Sequence, residues 1–236
     1  MIPNHTSYTL ENLLSRINAI LDKEARIVSL PSPSQLDTID YSHTYKTTII
    51  CMAISLPYPI SSIETNYQQY QIYKALSSEI SALINENSYV LDIDFSIQNK
   101  VVALLQLPDR KYEPVIDMAA RISSLTRIID HRARSVGYFP FNVTIGIDSG
   151  TCYVTRESIE ISNQKELLWM GRPLIEAVRL SSLTQLGDIP IIISENILNN
   201  LNEKYRSFFT QDKFNDIYTS SLKNNAMASW MEKNLL

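Results

Sequence analysis

The sequence predicts an α+β protein in which helices pack on one sheet around a ferredoxin-like core. Segments with the apolar spacing of helices alternate along the 236-residue chain with β-branched runs that are typical of strands. Two pairs of neighbouring strand segments are separated by short turn sequences, so each pair is expected to form a hairpin. The first part of the chain therefore follows the order strand–helix–strand–strand–helix–strand, which is the ferredoxin-like pattern.

The N-terminal region is expected to lie outside the main domain. Leucine and isoleucine residues recur at helical spacing from Leu10 to Leu21, which predicts a helix with one apolar stripe. Residues 29–43 are rich in proline, serine and aspartate, a composition typical of linkers. We therefore expect an N-terminal helix and linker over residues 1–44, and one domain with a C-terminal extension over residues 45–236.

Hydrophobic periodicity predicts the elements of this domain. Strands are expected at 47–56, 90–97, 101–107, 142–147, 151–155 and 189–193, and helices at 61–85, 114–136, 173–183 and 195–201. The second hairpin is placed across Asp148-Ser149-Gly150, because aspartate before a glycine is common in turns. The sequence after Tyr205 has no clear pattern.

Composition narrows the classes of function. The formal net charge of −4 and the pI of about 5.4 disfavour a protein that grips nucleic-acid backbones. No apolar run reaches the roughly 18 residues that span a bilayer, and no signal peptide is recognisable, so a cytoplasmic protein without membrane contact is expected. Cys51 and Cys152 lie in apolar runs and are expected to be buried thiols, although a disulfide is compatible with the sequence.

Three short motifs resemble those of the class III adenylate and guanylate cyclases. The run from Thr144 to Gly150, TIGIDSG, is similar to the family's hydrophobic-x-Gly-Ile-His-x-Gly strand and turn. The run WMGRPLIEAVRL, residues 169–180, is similar to its Gly-x-x-Val-Asn-x-Ala-x-Arg-Leu helix start, and IIISE, residues 191–195, to its Ile-x-Val-Ser strand. Three of the five glycines fall in these motifs. The chain thus resembles a degenerate member of this family over residues 45–201.

The resemblance implies a two-metal reaction for which this chain lacks ligands. Such cyclases join a ribose 3′-hydroxyl to the α-phosphate with two divalent metals, held by two aspartates. The first aspartate lies in a Phe-x-Asp-Ile pattern, which here matches Cys51 to Ile54 and puts Ala53 at the carboxylate position. The second follows a glycine at the tip of the first hairpin and matches Asn99 after Gln98, with a possible slip of one residue. Each lost unit-charge contact at ~4 Å is about 4 kcal/mol at an effective dielectric of ~20, so no metal cofactor is expected.

Other family positions differ as well. The transition-state asparagine matches Ile175, the purine-selecting lysine matches Phe95, and the base-selecting aspartate or threonine matches Leu168. Arg179 alone is retained, at the family's phosphate-stabilising arginine. An arginine in the first turns of a helix also commonly pairs with a surface carboxylate, so both interpretations of Arg179 stay open.

Three further aspartates are considered as functional residues because a carboxylate can bind a metal ion. Asp92 and Asp94 alternate along one strand and could form a displaced metal pair, or simply the solvent face of that strand. Asp148 occupies the family's histidine position and is expected to be a turn residue.

The leading hypothesis is a non-catalytic cyclase-like protein that dimerises, regulates a partner or senses a nucleotide. The family's domains meet head to tail and share active sites, so the resemblance implies a homodimer or a heterodimer with another cyclase-like domain. The alternative is an active nucleotide cyclase that uses Mg or Mn with unusual ligands, or with carboxylates from a heterodimer partner. Phe95 and Leu168 would then disfavour a purine substrate, which leaves a pyrimidine nucleotide as the alternative. An unrelated α/β binding module is the third possibility.

Overall fold

The computed structural model of the protein has the predicted α+β fold, a mixed sheet with packed helices. It describes residues 9–21, 27–30, 36, 44–57, 63–95, 97, 99–107, 111–158, 165–183, 191–212 and 216–234. Within those residues, no helix is both long enough and apolar enough to cross a bilayer.

The chain divides into two compact units. The N-terminal unit comprises residues 1–48 and 151–171, and the core unit comprises residues 49–150 and 172–236. The sequence boundary between residues 44 and 45 stays a prediction.

A ferredoxin-like arrangement forms the first part of the sheet, as predicted. Its elements are β2 (Thr44–Ser55), α2 (Ile63–Asn85), β3 (Val90–Asp94), β4 (Lys100–Leu105), α3 (Glu113–Ser135) and β5 (Thr144–Ser158). The strands lie in the order β3-β4-β2-β5. Strand β4 is antiparallel to both of its neighbours, β2 and β3. The chain order strand–helix–strand–strand–helix–strand therefore produces the sheet that it predicts.

The C-terminal part extends this sheet beyond β5. It contains α4 (Arg172–Ser181), β7 (Ile191–Ile193), α5 (Glu195–Asn199), α6 (Glu203–Arg206), β8 (Thr210–Asp212), β9 (Ile217–Ser220) and α7 (Asn225–Asn234). Strand β7 is parallel to β5, and β9 then pairs antiparallel with β7 and β8. The tail after Tyr205, where no clear pattern was recognisable, thus supplies two strands of the sheet.

The N-terminal unit contains the predicted helix and a strand that was not predicted. Helix α1 spans Leu10–Leu21 and strand β1 spans Ile27–Ser29. Strand β1 pairs in parallel with the first residues of β2, and Leu30 and Leu36 are buried. The prediction of a linker from residue 29 is therefore wrong at its start, because apolar side chains fold there. Residues 37–43 lie outside the described part of the chain.

The second hairpin was predicted in the wrong place. Residues 144–158 form one continuous strand, and the hairpin partner of its second half is β6 (Lys165–Met170). Asp148, Ser149 and Gly150 therefore lie within a strand. The backbone at Gly150 is nearly extended, with φ of 159°. The polar groups of Asp148 and Ser149, which suggested a turn, instead bond to side chains that follow β7.

Alternating residues of the central strands build the main core. Ile50, Met52 and Ile54 of β2 belong to it together with Ile145 and Ile147 of β5. Helices α2 and α3 cover this face with Ile72, Leu76, Ile80, Ile116, Ala119 and Ile122. Full burial of such apolar side chains is the principal stabilising contribution, roughly 1.5–3 kcal/mol each.

Gly146 lets helix α4 approach β5. A Cβ atom at Gly146 would overlap the carbonyl oxygen of Ala177 and the amide nitrogen of Ser181, both backbone atoms of α4 or its end. Backbone atoms cannot rotate away as a flexible side chain can, so the helix itself would have to move. The glycine of the first cyclase-like motif is therefore a close-packing residue.

The variant Gly146→Ala is expected to lower the free energy of unfolding by about 2–3 kcal/mol, because overpacking displaces α4. Urea unfolding monitored by circular dichroism measures the change. Gly137→Asn is the matched control: no atom lies within 4 Å of a Cβ there, and its φ of 84° suits asparagine. Equal stabilities of wild type and Gly146→Ala would contradict the close approach.

Candidate functional site

Ala53 lies at the centre of the β2–β4 ladder and is completely buried. It is opposite Val102 in the antiparallel register. Residues opposite each other in such a pair share a face of the sheet, so the neighbours of Ala53 on this face are set by the register. A buried methyl group next to a valine offers no oxygen to a cation. The position that the resemblance assigns to the first family carboxylate is thus apolar.

Asn99 connects the tip of the β3–β4 hairpin to the end of β2. Its side-chain amide donates to the carbonyl oxygen of Leu56 at 3.1 Å, and the Leu56 amide donates to the Asn99 carbonyl at 2.7 Å. The backbone of Asn99 is left-handed, with φ of 52°. That conformation is favoured by glycine and tolerated by asparagine. These two hydrogen bonds therefore hold the tip of the β3–β4 hairpin against the residue that follows β2. Gln98, which the sequence aligned with the family's glycine, lies outside the described residues.

Lys100, the first residue of β4, is a buried cation on the same face as Ala53. It is opposite Ser55 in the ladder, two residues along from the pair of Ala53 and Val102. Its ammonium nitrogen donates to the Ser55 hydroxyl at 3.3 Å, and the residue is only 7% exposed. Burial lowers the pKa of the Lys100 amine, because it disfavours the charged form.

The residues at this position do not fit a divalent metal site. Ala53 has no ligand atom, and the Asn99 amide donates a hydrogen bond to Leu56. Lys100 would repel a cation. Asp92 and Asp94 share a face of β3 as predicted, opposite Leu104 and Val102. In the described part of the chain, no group of three or more histidine, cysteine, aspartate or glutamate side chains is placed to hold a metal ion.

Arg179 pairs with Glu176 on its own helix, α4. Its guanidinium donates twice to the carboxylate, at 2.9 and 2.6 Å. This hydrogen-bonded pair raises the pKa of Arg179 and lowers the pKa of Glu176. The Arg179 side chain stays 47% exposed, so the guanidinium keeps access to solvent. Its contact with phosphate stays a prediction.

The other positions suggested by the resemblance lie in two different units. Ile175 and Phe95, in the core unit, are 71% and 45% exposed. Large apolar side chains at the surface are available for contact with a ligand or another chain. Leu168 lies on β6 in the N-terminal unit and is half-buried.

Two buried polar residues within β5, Asp148 and Ser149, bond to residues that follow the parallel strand β7. The Ser194 hydroxyl donates to the Asp148 carboxylate at 2.5 Å, and the Asn196 amide donates to the Ser149 carbonyl and hydroxyl at 2.7 and 2.9 Å. Burial raises the pKa of Asp148, an effect opposed by the Ser194 hydrogen bond. Sequence reasoning missed this cluster, because it treated Asp148 as a turn residue; the run Ser-Glu-Asn after an apolar strand was the available signal.

Comparison with known proteins agrees with this architecture. No protein-family model matches the chain. A uridylate cyclase from Treponema porcinum is 22% identical over 253 aligned positions, which cover 100% of this chain and 88% of that protein. A class III adenylyl cyclase-like ATP-binding protein from Pseudomonas aeruginosa superposes with a TM-score of 0.72 at 14% identity, over 93% of this chain. This chain spans only 48% of that protein's length.

The adenylyl cyclase CyaB from P. aeruginosa superposes with a TM-score of 0.58 at 15% identity, over 72% of this chain and 87% of CyaB. This chain has the fold of a class III nucleotidyl cyclase domain. Within that cyclase-like fold the three motifs occupy β5, the junction of β6 with α4, and β7. The resemblance drawn from those motifs is therefore confirmed at the level of the fold.

Asp148 gives this cyclase-like domain a testable pH dependence. Its folded-state pKa is raised, so its contribution favours the folded state at low pH and is lost as pH rises through the folded pKa. Asp148→Asn removes this loss and keeps an acceptor for Ser194. The melting temperature of Asp148→Asn relative to wild type is thus expected to increase between about pH 4 and pH 8.

Ser194→Ala serves as the opposite control. It removes the hydrogen bond that stabilises the ionised Asp148, so it is expected to steepen the loss of stability with rising pH. Thermal denaturation of all three proteins across the pH series measures both effects. Parallel curves for wild type and Asp148→Asn would contradict the raised pKa.

Proposed function

We propose that this protein is a non-catalytic cyclase-like domain that binds a nucleoside triphosphate and does not cyclise it. The observation that carries the proposal is Ala53, a buried methyl group at the position of the first metal-binding carboxylate. No acidic residue occurs anywhere in β2. The reaction needs two divalent ions held by carboxylates, and Lys100 beside Ser55 adds a positive charge at the same place.

Nucleotide binding is supported by the P. aeruginosa protein with the same fold, which is described as an adenylyl cyclase-like ATP-binding protein. Arg179 provides one phosphate-binding group in this proposal. It is held on α4 by Glu176 and is accessible to solvent. A phosphate would compete with the Glu176 carboxylate for the guanidinium, since both accept the same bidentate hydrogen bonds.

The second candidate function is an active pyrimidine nucleotide cyclase. It is favoured by the likeness to the T. porcinum uridylate cyclase, which extends over the whole of this chain. In that case a partner domain would supply the metal carboxylates, and Mg or Mn would be the cofactor.

Turnover and binding separate the two functions. Purified protein incubated with ATP, GTP, CTP or UTP and Mg²⁺ or Mn²⁺ is expected to give no cyclic nucleotide above a mock purification, measured by mass spectrometry. Calorimetry is expected to detect triphosphate binding that Arg179→Ala weakens by roughly tenfold or more. Arg172→Ala, at an exposed arginine of the same helix, is the matched control.

A cyclic product that disappears in Arg179→Ala and persists in Arg172→Ala would establish the active cyclase instead. Absence of triphosphate binding under all these conditions would leave only a scaffold role and would refute the proposal.

We also propose that the protein forms a homodimer to which helix α1 contributes. Its residues Leu10, Leu14, Ile17 and Leu21 are 72%, 63%, 38% and 75% exposed. Their spacing of four, three and four residues is the heptad pattern of a coiled-coil seam. A helix of 12 residues is too short to dimerise alone, so it would add to a contact between cyclase-like domains.

A charged residue in this seam is expected to weaken the dimer. Leu14→Glu combined with Leu21→Glu places like charges where two copies would meet, and should shift the protein to monomer at micromolar concentration. Ser15→Glu, at an exposed position outside the seam, should leave the dimer intact. Light scattering after size-exclusion chromatography measures the mass; a monomeric wild type, or a double variant that stays dimeric, would contradict the role of α1.

A further inference from the structure

Lys100 is a buried lysine at the start of β4. The residue is 7% exposed, and none of the ion pairs among the described residues includes it. Its pKa is lowered by burial, with no contribution from a neighbouring carboxylate. A buried ammonium ion without a negative partner is strongly unfavourable. An anion from outside the chain would remove this cost.

The hydrogen bonds of the ammonium group are also incomplete. A lysine side chain has three donors, and within the described part of the chain Lys100 bonds only to the Ser55 hydroxyl. That hydroxyl is neutral and cannot balance the charge. Among the described residues the other two donors have no acceptor, and an anion would supply one that brings negative charge.

Described residues near the strand end that carries Lys100 are partly exposed. Ser55 and Asn99 are both partly exposed, and so is Asp94 on the neighbouring strand. Asp94 is opposite Val102, two residues along β4 from Lys100. An anion thus has an approach along the end of the ladder.

The backbone conformation shows which residue takes the second family position. In the family motif an aspartate follows the glycine of the hairpin tip. Here the left-handed residue, where glycine is favoured, is Asn99, so the residue that follows it is Lys100. The expected carboxylate is then replaced by an ammonium group. The charge of the position is therefore reversed. The Lys100 ammonium group would occupy the place of a divalent metal ion.

We propose that Lys100 binds the phosphate groups of a nucleoside triphosphate directly, in place of a divalent metal ion. The inference rests on the nucleotide binding proposed above. A lysine ammonium is a compact point charge that pairs well with phosphate oxygens, and the Ser55 hydroxyl holds it at the end of β4. Binding is therefore metal-independent, and its affinity depends on Lys100.

Binding in the absence of divalent metal ions tests the inference. The full chain is titrated by calorimetry with ATP, UTP and inorganic tripolyphosphate in EDTA, and again in Mg²⁺. Triphosphates are expected to bind in EDTA, and Mg²⁺ is expected to add little. Lys100→Gln should raise the dissociation constant by roughly 30-fold or more, as expected when one partner of a buried charge pair is removed.

Lys74→Gln is the matched control, because it removes the same charge from an exposed position on α2. Its dissociation constants should stay within about threefold of wild type, since exposed charges contribute little. Without ligand, Lys100→Gln should melt at the same temperature as wild type or higher, because it removes an uncompensated buried charge. A ligand-free Lys100→Gln that is strongly destabilised would mean that Lys100 has a structural role, and would overturn the inference.

The remaining outcomes distinguish this inference from the proposed function. Triphosphate binding that requires Mg²⁺, or that is unchanged in Lys100→Gln, would refute the role of Lys100 and leave nucleotide binding in place. Failure of all three ligands to bind in either condition would refute both. Binding of tripolyphosphate as tight as that of ATP and UTP would support recognition through the phosphates alone.

Discussion

The antiparallel ladder between β2 and β4 sets the chemistry of the candidate site. Its register places Ala53 opposite Val102 and Ser55 opposite Lys100, so these four side chains share one face of the sheet. The ladder is buried from Ile49 to Ile54 and from Lys100 to Leu105. A shift by one residue would turn every one of these side chains to the opposite face. The core therefore sets which side chains lie at the positions that the resemblance assigns to the metal ligands.

The interpretation as a non-catalytic domain depends on the charged side chains of the β2–β4 strand pair. The fold of a class III cyclase domain is intact, and the hairpin tip is still fastened to the end of β2 by Asn99. What differs is the sign of the charge: the strand pair has a lysine and lacks carboxylates. Fold and catalysis are separable in this way, because packing depends on the buried apolar residues and catalysis on a few polar ones.

Much of the fold was predictable, because buried strands and amphipathic helices leave clear patterns. Strands β2, β3 and β4 and helices α2 and α3 lie close to their predicted positions. Strand β5 was predicted as two strands because Asp148 and Ser149 have the composition of a turn. Their hydrogen bonds to Ser194 and Asn196 join residues far apart in the sequence and leave no local signal. The short strands β8 and β9 were also missed, since β9 pairs with β7 and β8 pairs with β9, and neither pairing leaves a local signal.

Motif spacing predicted which residues to inspect at the candidate site. It could not predict the hydrogen bonds and strand pairing of those residues. The motifs assigned the two family carboxylate positions to Ala53 and to the hairpin tip, and this assignment stays a prediction. They could not show that Asn99 has a left-handed backbone, because that conformation depends on the turn that it forms. Nor could spacing reveal that Lys100 is buried beside Ser55 or that Arg179 pairs with Glu176. Both facts depend on the register of strands or on the rotamers of side chains.

The pairing of β9 with β7 has a consequence for the handling of this protein. Strand β7 consists of three isoleucines, and β9 covers the edge that β5 leaves open. A chain shortened to end before Ile217 would expose an apolar strand with unsatisfied backbone groups, a template on which other chains can add. Fragments that are trimmed to the cyclase-like motifs alone would therefore tend to precipitate, and expression of the domain requires its C-terminal strand.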